Sequence, residues 1–76
     1  MPRIQSVSDT TYEGTRGFII EWEFIGFSEN TARGRAKMMT AMRFPTTIAT
    51  SRVIGVREFD PNDFNVQVFV PTKGLL

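Results

Sequence analysis

Cysteine and histidine are both missing from the 76-residue chain, and their absence removes whole classes of chemistry. Without cysteine there is no disulfide framework, no thiolate zinc site and no thiol nucleophile, and without histidine the commonest general base and transition-metal ligand is gone. No apolar run approaches the roughly 18 residues that a membrane span needs, and Met1-Pro2-Arg3-Ile4-Gln5-Ser6 lacks the apolar stretch of a secretory signal. The expectation is a cytoplasmic or otherwise intracellular protein with no membrane partner. Phosphate cradles are lacking too, because Gly14-Thr15-Arg16-Gly17 fits neither the P-loop nor the dinucleotide-binding pattern. Serine and threonine are plentiful, but a hydroxyl nucleophile needs a base beside it and none is offered. These gaps together point away from an enzyme and away from any metal or cofactor.

What is present is apolar and aromatic. A 41% hydrophobic content with seven Phe, one Trp and one Tyr is far above that of disordered chains, which carry too little apolar surface to offset the entropy of ordering. The length allows one domain, residues 1–76, whose core contributes only about 3–5 kcal/mol of net stability in chains this short. Net charge is +1, distributed unevenly. Residues 30–57 carry Arg33, Arg35, Lys37, Arg43, Arg52 and Arg57 and no acid, while residues 1–29 hold five acids against two bases.

Alternation and capping chemistry outline the fold. Residues 3–8 read as a short first strand, followed by a turn-rich run over 9–17. Residues 18–25 form the clearest strand, with Phe18, Ile20, Trp22 and Phe24 on one side. Ser28 is a helix cap with Glu29 in the first turn, and the helix runs over 28–43 until Pro45 forces Phe44 out of the α region. Its apolar stripe comprises Ala32, Ala36, Met38, Met39 and Met42, with Arg33, Lys37 and Thr40 opposite. Residues 52–59 and 64–70 read as two further strands joined by Asp60-Pro61-Asn62-Asp63, a turn composition that makes them an antiparallel hairpin. The expected class is α+β: a small mixed four-stranded sheet in ββαββ order, one helix on one face, a parallel crossover between the second and third strands, and a frayed tail over 71–76.

Candidate sites follow from the faces. Glu21 and Glu23 share a strand face, as a glycosidase pair would, but with no pocket residues around them they read as surface acids facing Arg52 or Arg57 across the sheet. Asp60, Asn62 and Asp63 lack the loop length and closing glutamate of a calcium site. One helix cannot cover two sheet faces. The far face is therefore expected to expose Ile19, Ile25, Val53, Phe59 and Phe69 among Glu21, Glu23, Arg57 and Gln67, the composition of an interaction surface. The leading expectation is a non-catalytic protein-binding module, either an accessory subunit or a compact inhibitor. It would bind another protein or itself through Ile19, Glu21, Glu23, Ile25, Arg57, Phe59 and Phe69. The alternative is a nucleic-acid-binding domain using the basic segment 30–57, with Arg33, Arg35 and Lys37 on phosphates.

Overall fold

The last strand of the chain lies inside the sheet rather than at its edge. In the computed structural model, which describes residues 2–44 and 51–72, the elements are β1 (Arg3–Tyr12), β2 (Thr15–Ile25), α1 (Glu29–Arg43), β3 (Arg52–Asp60) and β4 (Asp63–Pro71). The α+β class and the ββαββ order hold. All three pairings are antiparallel and the strand order is β1-β2-β4-β3, so the sheet is not mixed: β2 and β3 run parallel, as the crossover requires, but β4 lies between them. The reason is compositional. β4 alternates large apolar residues on one side and adds Phe69 on the other, which suits a strand paired on both edges; β3 is exposed from Arg57 to Asp60 and suits an edge.

The turn-rich reading of residues 9–17 gives way to a longer hairpin. β1 continues to Tyr12 and pairs with Thr15 across the two-residue turn Glu13-Gly14, whose φ angles of 50° and 80° are both positive. That backbone matches the right-handed twist of the flanking strands and extends their ladder. Gly17 is a strand residue, not a loop end. A Cβ there would meet the Val70 carbonyl oxygen at 2.3 Å and the Phe69 ring at 2.8 Å, so its missing side chain lets β2 and β4 close together. At the other hairpin Asn62 takes φ 62°, and its carbonyl accepts from the amides of Gly26 and Phe27 at 2.8 and 2.9 Å, tying the β3–β4 turn to the β2–α1 joint.

The core forms where the expected rows meet. Phe18, Ile20, Trp22 and Phe24 of β2 and Phe64, Val66, Val68 and Val70 of β4 are buried against Ala32 and Ala36 of α1, with Met39 partly buried beside them. Ser28 caps the helix through the Thr31 amide, and Phe44, with φ −131° and ψ 72°, ends it. Two helix assignments are corrected. Thr40 is fully buried: its hydroxyl accepts from Trp22 Nε1 at 2.9 Å and donates to the Ala36 carbonyl at 2.8 Å, so a polar residue sits inward to satisfy the indole. Met38 and Met42 are exposed, at 60% and 74%, because the inward row is the narrower Ala32-Ala36-Thr40. At the C-terminal end Pro71 belongs to β4 and Thr72 donates its hydroxyl to the Arg16 carbonyl at 3.1 Å. Residues 73–76, and the threonine-rich connection over 45–50, lie outside the described residues.

Candidate protein-binding site

The outer face of the sheet is divided into three parts. At one end Phe69 is buried at 3% exposure, against the expectation that it projects into solvent. Its ring lies over Gly17 and 5.3 Å from the ring of Tyr12, on which the Arg52 guanidinium stacks at 5.2 Å. Arg52 also pairs with Glu13. Ile19, opposite Phe69 in the ladder, is half-buried. Side chains of the sheet itself thus cover this end.

The middle is polar. The Glu21 carboxylate accepts from Asn65 Nδ2 at 3.4 Å and Gln67 Nε2 at 3.3 Å, and Asn65 Nδ2 also donates to Gln5 Oε1 at 2.7 Å. Glu23 pairs with Arg3 at 2.7 Å. The acids therefore find partners on β1 and β4 rather than in Arg52 or Arg57. Arg57 lies opposite Asn65 on this face. Val53 leaves the face altogether. The ladder shifts between Val53 and Gly55, which sets Val53 opposite Val68 on the helix side. Among the described residues of this face, large apolar side chains stay open at the hairpin end, with Ile25 43% and Phe59 38% exposed. Of the seven expected partner-binding residues, then, the fold exposes Ile25, Arg57 and Phe59, partly covers Ile19, Glu21 and Glu23, and buries Phe69.

The three helix cations do not converge. Arg33 pairs with Glu29 at 3.0 Å, Arg35 lies 5.6 Å over the Phe27 ring, and Lys37, one turn after Arg33 on α1, has no ion pair among the described residues. Between them and β3 runs a surface groove of about 750 Å³ whose walls are Gly34, Met38, Ala41, Met42 and Val53, with Arg33 and Lys37 along its rim. No carboxylate among the described residues lines it. Compared with known proteins, the chain matches no family model, no curated protein and no solved structure. The groove's residues therefore carry the functional reading alone.

The sequence pattern places Met38 and Met42 on one broad apolar stripe with Ala32, Ala36 and Met39, and a groove does not follow from that stripe. The signal was present: Gly34, Met38 and Met42 repeat at i, i+4, parallel to the row Ala32-Ala36-Thr40 two positions earlier. A helix lying on a flat sheet buries one such row fully and leaves the second at its margin. No cluster of three or more metal-ligating side chains occurs among the described residues, and no helix among them is long and apolar enough to cross a membrane.

Proposed function

We propose that the chain is a small non-catalytic protein-binding module, acting as an accessory subunit of a larger assembly or as a compact inhibitor that occludes its target. One observation supports this most: two flexible methionines stand exposed at 60% and 74% beside Val53 in a groove whose charged lining residues, among those described, are the cations Arg33 and Lys37. Unbranched thioether side chains adapt to irregular apolar partners, and burying each contributes about 1.5–3 kcal/mol. The cations of α1 support a protein partner better than a nucleic acid, because Arg35 lies over the Phe27 ring and Arg33 and Lys37 border an apolar groove rather than forming one phosphate track with it.

The test is affinity capture with the wild-type chain and with Met38→Ser/Met42→Ser, both confirmed as folded by thermal melting. The expected result is a retained protein that the double variant loses and that Glu21→Gln, on the opposite face, keeps. Equal retention by the groove variant and the wild type would overturn the reading.

A further inference from the structure

Gly34 stands on the groove wall at a position where the fold itself asks for no glycine. Gly14 and Gly26 hold positive φ angles, and Gly17 and Gly55 make way for β4; Gly34 does neither. It lies inside α1, where glycine is less favourable than alanine, and a Cβ built there meets no described residue within 4 Å. What its missing side chain leaves is a low place in the wall, one turn before Met38 and beside Ala41. The groove follows α1 from Arg33 to Met42, a span of about 14 Å or roughly two and a half helical turns. An apolar ridge spaced i, i+3, i+4, i+7 on another helix covers that length, and helices with small facing residues approach to about 8 Å.

Charge narrows the partner further. Helix α1 carries Arg33, Arg35, Lys37 and Arg43 against Glu29 alone. Lys37 has no ion pair among the described residues, and the Arg33–Glu29 pair is solvent-exposed on both sides, so a competing acid displaces it at little cost. A second copy of α1 would set cation against cation, whereas carboxylates beside an apolar ridge meet the opposite sign. We infer that the groove takes an amphipathic α-helix of another protein. Its aliphatic ridge lies on Met38, Met42 and Val53, its backbone passes close over Gly34, and its flanking carboxylates face Lys37 and Arg33. The inference rests on the groove being a docking site and names the shape and charge of what docks there.

The test is fluorescence anisotropy of labelled synthetic helices titrated with the full chain. One probe carries leucines at i, i+3, i+4 and i+7 flanked by glutamates, a second has lysines in place of the glutamates, and a third is the first with a central proline. The glutamate helix should bind, less tightly as salt is added, and the other two about tenfold or more weaker. Met38→Ser/Met42→Ser should weaken the glutamate helix by a similar factor, and Lys37→Glu should reverse the preference between glutamate and lysine probes. Gly34→Ala gives the sharpest readout because its two effects have opposite signs. The chain should melt higher while the glutamate helix binds about tenfold more weakly, held off by the added methyl group. Failure of the glutamate helix to bind would sink the inference, as would equal binding of the lysine probe or binding indifferent to the methionine pair or to Gly34→Ala. Equal binding of the proline probe would make the occupant an extended segment, and a mass of two copies by sedimentation equilibrium, lost in the methionine variant, would make it this chain; either result overturns the helix. If the probes fail and the methionine variant still loses a captured protein, the docking reading stands and only the helical partner is wrong.

Discussion

The two faces of one sheet bury their aromatic side chains by different means. On the helix side Phe18, Trp22, Phe24 and Phe64 lie beneath α1, and the indole N–H is satisfied by a threonine of that helix. On the other side the described residues form no second layer, yet Phe69 is as buried as Trp22, at 3% exposure each. There the Tyr12 ring packs at a tilt of 43° against Phe69, the Arg52 guanidinium stacks on Tyr12 in turn, and Gly17 leaves room for the Phe69 ring. The difference teaches that an uncovered sheet face is not an open face. Local cross-strand packing closes one end and a hydrogen-bonded amide–carboxylate network wets the middle, which among the described residues leaves the hairpin tip apolar and exposed.

The largest effect should come from the helix-covered face. Trp22→Ala removes the largest core side chain and strands Thr40, and a loss of about 3–5 kcal/mol is expected. In so small a domain that abolishes the cooperative thermal transition; a melt close to wild type would break the comparison at its stronger side. Phe69→Ala should cost somewhat less, about 3 kcal/mol, because its cover is two side chains rather than a packed helix. Its urea midpoint should fall clearly below wild type, and an unchanged midpoint would mean that the outer aromatic cluster contributes no stability. Thr40→Val keeps the shape but leaves the buried indole N–H without its acceptor, at an expected cost of about 1–3 kcal/mol read from the same denaturation curves. Gly34→Ala should act in the opposite direction. A Cβ at that position meets nothing within 4 Å, so the helix gains about 1 kcal/mol and melts higher; a lower melting temperature would show that the groove wall does not tolerate the methyl group.

Much of the helix-side face was legible because period and composition agree there. The rows Phe18-Ile20-Trp22-Phe24 and Phe64-Val66-Val68-Val70, and the Ser28 cap, each depend on neighbours close in sequence. The outer face was harder to read for physical reasons. Phe69 is covered by Tyr12 and Arg52, which come from β1 and β3, and strand alternation says which way a side chain points but not what lies above it. The extra residue at Ile54 moved Val53 to the helix side, and no local signal announces a bulge. Thr40 went inward because of a single hydrogen bond to a residue on another element. The groove was the same kind of miss: the Gly34-Met38-Met42 row is visible in the sequence, but which of two adjacent apolar rows meets the sheet depends on where the helix lies across β4 and β3.

The central place of β4 has a consequence for how the chain is made. Its partners in β2 lie 38 to 54 residues earlier, from Ile25↔Asp63 to Gly17↔Pro71. While the polypeptide is still leaving the ribosome, β2 has only β1 beside it, and a lone hairpin is marginal in water. No intermediate length holds a finished sheet: α1 has nothing flat to rest on, and Trp22 and Phe24 remain bare until the strand that divides β2 from β3 has emerged. Assembly of this small domain is therefore all-or-none with respect to synthesis, and a nascent chain stalled before β4 is sticky rather than partly folded.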